Sequence, residues 1–166
     1  MALSKSKFIF LIFIFLFCGC PYDSVVPLSD PARAAVDKDL IGKWIKEEKN
    51  EKAFLVIDQF NGQELILLIV EDGGKKIDRM RAFTTVVDGE KFLNVQEIKD
   101  EFDKRKWLFV NYKVSGGVMS LKTVEDKILK KPAKDSDELF ALIKKNIKNK
   151  DLYDGDDVET LKRVKE

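Results

Sequence analysis

Between residues 40 and 124 the chain repeats one pattern: a short run rich in aliphatic, β-branched and aromatic residues, ended by a turn that contains glycine. Runs at 54–57 and 64–70 are joined through Asn61-Gly62, a dipeptide favoured in type I′ hairpins because both residues tolerate positive φ. Asp72-Gly73-Gly74 separates 64–70 from 77–87, Asp88-Gly89 separates 77–87 from 91–98, and Gly116-Gly117 separates 107–114 from 118–124. Four turns this short pair successive strands antiparallel, with only the charged stretch 99–106 as a longer connection. The pattern predicts a meander.

Within 107–114, Leu108, Val110, Tyr112 and Val114 fall on one face and Trp107, Phe109, Asn111 and Lys113 on the other, the period-two alternation of a strand. Residues 65–70 are apolar on both faces, so they require cover on both sides or use one face for binding. Only 136–148 has a helical period: it follows Pro132, opens with Asp135 and Glu138 in capping-box spacing, and repeats Leu139, Phe140, Leu142, Ile143 and Ile147. That helix is amphipathic and is expected across the outside or the mouth of the sheet, with Lys144, Lys145 and Lys148 in water. Adding runs at 40–46 and 158–164 gives eight strands, with 127–131 as an optional short extra. An eight-strand meander leaves exposed edges unless it closes. The expected fold is therefore mainly β, an antiparallel eight-stranded up-and-down barrel with one amphipathic helix before the last strand, and with 158–164 pairing to 40–46.

The N-terminus has a different pattern. Lys5 and Lys7 precede an apolar run, residues 8–17, that ends in Cys18-Gly19-Cys20 and is too short to cross ~30 Å of hydrocarbon, which takes about 20 residues. This is the layout of a signal peptide. The residues before Cys20 resemble the lipobox of bacterial lipoproteins, with Gly19 matching, and with Phe17 and Cys18 standing where that family more often has leucine and then alanine or serine. The resemblance implies cleavage before Cys20 and acylation of its thiol with diacylglycerol, carrying fatty acids such as palmitate. An ordinary secretory signal cut near Gly19 is the alternative, and it would leave an unpaired thiol in an oxidising compartment. The division is then residues 1–19 as signal peptide, 20–38 as lipidated N-terminus and flexible tether, and 39–166 as the barrel domain. Residues 21–37 hold Pro27 and Pro31 and no sustained period, and an extended tether of that length reaches ~50 Å at ~3.3 Å per residue.

Both cysteines lie in the targeting segment, so the mature domain has no internal disulfide. Cleavage removes Lys5 and Lys7, taking the 30 basic residues to 28 against 29 acidic ones, a net charge of −1. This is no electrostatic footprint for nucleic acid.

Gly42-Lys43-Trp44 on the first barrel strand resembles the Gly-x-Trp signature of lipocalins, and Arg163 on the last strand stands where the lipocalin arginine stacks on that tryptophan. The order Gly-x-Trp, Tyr112-Lys-Val-Ser-Gly116, Leu121-Lys-Thr-Val124, helix and Leu161-Lys-Arg163 is similar to small envelope lipoproteins of lipocalin-like type that lack an assigned function. The chain departs from lipocalins proper in placing its helix before the last barrel strand.

The chain has no histidine, which excludes Ser-His-Asp and Cys-His catalysis and histidine-based zinc sites. Asp100, Glu101 and Asp103 alternate with Lys99, Lys104, Arg105 and Lys106 as a solvated loop. Asp151, Asp154, Asp156 and Asp157 lack EF-hand spacing and read as a turn between helix and strand. Phe83, Phe92, Trp107, Phe109 and Tyr112 either line a cavity or fill it. No catalytic, cofactor or metal residue is assigned, and no enzyme activity is expected. The expected partners are a membrane, reached through the lipid on Cys20, and a small apolar or amphipathic ligand. The alternative is a filled barrel that docks an envelope protein. The expected location is the bacterial cell envelope, with the outer membrane favoured because Pro21, and not aspartate, follows the cysteine.

Overall fold

A computed structural model describes residues 20–46, 53–98, 101, 105–153 and 158–165. The signal segment, and with it Cys18, lies outside them, as do Asp100, Asp103, Asp154, Asp156 and Asp157. Among the described residues, no helix is long and apolar enough to cross a membrane.

Among the described residues there are nine strands, β1 (Asp23–Ser24), β2 (Gly42–Ile45), β3 (Phe54–Gln59), β4 (Leu65–Glu71), β5 (Lys76–Val87), β6 (Glu90–Glu97), β7 (Trp107–Ser115), β8 (Val118–Thr123) and β9 (Glu159–Arg163), and one α-helix, α1 (Ser136–Asn146), before β9. Strands β2 to β9 pair antiparallel in sequence, and β9 returns to β2 through Trp44 opposite Arg163, so the eight-stranded sheet closes on itself. Closure satisfies the edge hydrogen bonds that an open meander would expose.

The turns explain the register. Asp88 and Gly89 have φ of 48° and 85°, the left-handed pair of a type I′ hairpin. Asn61-Gly62 does not form the type I′ turn expected of it, since neither residue has positive φ. The Asn61 side chain instead accepts from the backbone N–H groups of Gln63 and Glu64 at 2.8 and 2.7 Å, which fixes a longer right-handed turn. The optional strand at 127–131 is absent, and 126–128 form a turn.

Alternation divides the apolar side chains into two cores. Inside the barrel lie Leu65, Leu67 and Ile69 of β4 with Trp44, Met80, Val110, Tyr112, Met119 and Leu161. On the outer face of β5, β6 and β7, Phe83, Phe92, Trp107 and Phe109 form a second core with Leu139 and Ile143 of α1. The helix therefore lies on the outside of the barrel, away from its mouth. It begins at Asp135, whose carboxylate accepts from Glu138 N–H at 2.8 Å, and it stops at Asn146, two residues before the end expected from its apolar stripe.

The second core corrects the expected tether. Residues 21–37 are not a free leash, because Tyr22 and Leu28 are buried among the outer aromatics, and Asp23 and Ser24 pair with β7. The reason is the apolar outer face of β5–β7, which α1 covers only in part. Asn94, fully buried on that face, accepts from Leu28 N–H at 2.8 Å and donates to Thr85 Oγ1 at 2.9 Å, and Ser29 and Thr85 share a hydroxyl contact at 2.6 Å. Asn94→Ala leaves the buried Leu28 N–H without an acceptor and is expected to cost about 1–3 kcal/mol. Urea denaturation measures this as a lower midpoint, and an unchanged midpoint would contradict the latch.

Candidate functional site

One end of the barrel carries the tight turns after β3, β5 and β7 and is sealed. Leu40, at the end of a 3-10 turn over Lys38–Leu40, and Trp44 are fully buried beneath it, and Trp44 Nε1 donates to Leu40 O at 2.8 Å. The Arg163 guanidinium lies 4.4 Å from the centre of the Trp44 ring and donates to the carbonyls of Ile41 and Asp39. A cation over an indole face is worth about 0.5–2 kcal/mol, more as it is desolvated. The resemblance drawn from Gly42, Trp44 and Arg163 is thus realised as a physical plug. Gly42 is part of it: its φ is 142°, and a Cβ there would stand 2.7 Å from Arg163 Nη1.

A polar group holds the closing segment from the side. Tyr112 donates from its hydroxyl to Asp37 Oδ2 at 2.8 Å, Thr84 Oγ1 lies 3.0 Å from the Tyr112 hydroxyl, and Lys91 Nζ reaches Asp37 Oδ2 at 2.6 Å. Burial pushes the Asp37 carboxyl up, but hydrogen bonds from Lys91, Tyr112 and the Asp39 N–H outweigh it and hold the group below its ordinary value. The Tyr112 hydroxyl is pushed up, mainly by burial, and stays protonated as the donor.

The opposite end is different. At the sealed end the inward side chains of Leu40, Trp44, Ile57, Leu65, Ala82 and Met119 are 0–1% exposed. One layer towards the other end, Ile69, Met80, Val95, Val110, Leu121 and Leu161, from six consecutive strands β4 to β9, keep 4–9% of their surface in contact with water. Leu55 and Leu108, at the same end of β3 and β7, are only half-buried. Val36, Ile41 and Val114, which pack on the same core towards the sealed end, are only partly buried as well. Above the apolar layer stands a charged collar. The register turns Glu71 towards Lys76, Glu97 towards Met80 and Glu159 towards Leu121, so all three follow their inward partners. Lys76 pairs with Glu71 at 2.8 Å and Lys46 with Glu159 at 3.7 Å.

Of the five aromatics, only Tyr112 enters the barrel, while Phe83, Phe92, Trp107 and Phe109 belong to the outer core. They fill space between sheet and helix and line no interior cavity. Their odd and even positions gave this division, but periodicity does not state which face is the inside. Of the acidic clusters read from the sequence as a solvated loop and a turn, only Glu101 and Asp151 are described, and both are exposed; among the described residues no three His, Cys, Asp or Glu side chains converge in a metal-binding arrangement. The apolar layer and its collar escaped sequence reasoning because they become neighbours only through the closed register. Cys20 is exposed on the outer flank, where Asp126 N–H donates to its carbonyl at 3.0 Å. Comparison with protein-family models, curated proteins and solved structures finds no match.

The plug yields a prediction with an internal control. Gly89→Ala places a side chain in left-handed backbone, which costs about 1–2 kcal/mol, whereas Gly42→Ala does so at a φ of 142°, outside the regions open to other residues, and its substituent also meets Arg163, while nothing lies within 4 Å of a Cβ at Gly89. Thermal denaturation should show the larger loss for Gly42→Ala. Equal losses would mean that the stacked guanidinium does not constrain the first strand.

Proposed function

We propose that this protein is a bacterial lipoprotein of the cell envelope with a lipocalin-like barrel, acylated on Cys20, which binds a small apolar or amphipathic molecule in the accessible half of its barrel and has no enzymatic activity. The observation that carries the reading is the gradient of exposure along the barrel axis. Beyond the plug, the inward layer of Ile69, Met80, Val95, Val110, Leu121 and Leu161 is less completely buried than Leu40 and Trp44, and Leu55 and Leu108 at the same end are only half-buried. Eight strands enclose an interior just wide enough either to be filled or to hold one small ligand. The charged collar above that layer suits a molecule with a polar end as well as an apolar one. The anchor is supported by the short apolar run ahead of Cys18-Gly19-Cys20 and by the exposure of Cys20.

A second reading, an interaction module, draws on the outer face of β3 and β4, where Phe54, Val56, Ile66 and Leu68 stay half-buried and Phe60 is exposed. A series of straight-chain alcohols of rising length separates the two. Burial in the barrel gains about 0.8 kcal/mol per methylene, so affinity measured by calorimetry should rise roughly fourfold per added carbon until the interior is full. Leu121→Trp, which fills the accessible layer, should abolish that dependence. Weak binding that ignores both chain length and this substitution would favour the interaction module.

A further inference from the structure

We infer that Asn61-Gly62 is a self-modifying site: in the folded protein, with two backbone N–H groups assisting, the Asn61 side-chain amide is lost as ammonia and position 61 becomes aspartate or isoaspartate.

The glycine is the first pointer. Asn61 is the one asparagine of the chain that precedes a glycine, and the turn from β3 to β4 does not need that glycine. Gly62 lacks the positive φ that favours the residue, and nothing lies within 4 Å of a Cβ built on it. A larger side chain would fit, so neither left-handed backbone nor close packing accounts for glycine here. What glycine does supply is an amide nitrogen with no side chain beside it, open to approach by a neighbouring carbonyl carbon. That N–H donates to no acceptor among the described residues.

The asparagine is the second. Its Oδ1 accepts from the backbone N–H groups of Gln63 at 2.8 Å and Glu64 at 2.7 Å, while its Nδ2 donates to Glu64 Oε2 at 3.4 Å. Two donors thus converge on the oxygen of the amide, and its nitrogen is held apart from them. N–H groups aimed at a carbonyl oxygen draw electrons from its carbon and stabilise the charge that forms when a nucleophile adds, as in an oxyanion hole. Residues 61–63 are exposed, so water and hydroxide reach the turn.

The reaction balances with water as its only co-reactant. Gly62 N gives its proton to hydroxide and bonds to Asn61 Cγ, closing a ring, and the negative charge passes to Oδ1 between the two donors. The Cγ–Nδ2 bond then breaks, and the nitrogen takes a proton from water and departs as ammonia, leaving a cyclic imide. Water opens the imide at either carbonyl carbon. Opening at the main-chain carbonyl gives aspartate's isomer, isoaspartate, whose chain runs through the former side chain, and opening at the side-chain carbonyl gives aspartate. Nothing is oxidised or reduced. Isoaspartate lengthens a turn in which the Phe60 and Asn61 N–H groups both donate to Glu64 O, at 2.9 and 3.2 Å, and so loosens the link between β3 and β4. Either product adds a carboxylate beside Glu64, whose Oε1 lies 3.9 Å from Arg81 Nε.

Peptide mapping by mass spectrometry tests this on the purified protein. Incubated folded at mildly alkaline pH, it should exchange NH2 for OH at Asn61 and release ammonia, at a rate that rises with pH, while Asn94, Asn111, Asn146 and Asn149, each followed by a larger residue, stay intact. Conversion should be severalfold faster in the folded protein than in urea at the same pH, because unfolding removes the two donors. Gly62→Ala, whose Cβ meets nothing, should keep its melting temperature and convert severalfold more slowly. An intact Asn61 in the folded protein overturns the proposal, and so does a folded rate no faster than the unfolded one.

Discussion

The fold depends on the closure of β9 against β2, with Arg163 stacked on Trp44 at the sealed end. A meander of eight strands has two edges, and each exposes unpaired N–H and C=O groups until the edges meet. The stacked pair fixes where they meet. It sets the register of first strand against last, brings the guanidinium to the carbonyls of Asp39 and Ile41, and so folds the 3-10 turn over the barrel end. Gly42 follows from the same contact, because a larger residue would displace the cation. The plug closes one end of the apolar interior, so the functional reading and the stability of the fold share one cause.

Closure creates a second demand. A sheet curled into a barrel has an outer face as well as an inner one, and on β5–β7 that face carries Phe83, Phe92, Trp107 and Phe109. The helix α1 and the segment from Tyr22 to Leu28 cover it together, with Asn94 supplying the buried polar contacts that hold the segment in place. The helix α1 and the segment from Tyr22 to Leu28 are thus one device. They also bring Cys20 to the flank, where an anchor would define how the barrel stands on a membrane.

Much of this was legible in the sequence, for reasons that can be named. Turn glycines mark strand ends because few residues tolerate positive φ, and Asp88-Gly89 was read correctly on that ground. Gly42, Trp44 and Arg163 were recognisable as a set because their spacing along the chain brackets the whole sheet. Asn61-Gly62 misled on turn type, since the asparagine side chain offered the backbone a different set of hydrogen bonds. Residues 21–37 misled because their larger apolar positions, Tyr22, Val25, Val26, Leu28 and Val36, show no period, and Tyr22 and Leu28 acquire partners only from elements distant in sequence. The apolar layer of Ile69, Met80, Val95, Val110, Leu121 and Leu161 was invisible for the related reason that it draws one residue from each of six strands.

The central claim is that the accessible half of the barrel, and no other surface, takes up an apolar molecule. Methyl-resolved NMR during titration with a straight-chain alcohol tests it most directly. The account predicts shifts and ligand contacts at Ile69, Met80, Val95 and Leu161, with Ile57 and Leu65 at the sealed end unmoved. Contacts confined to Ile66 and Leu68 on the outer face would contradict it.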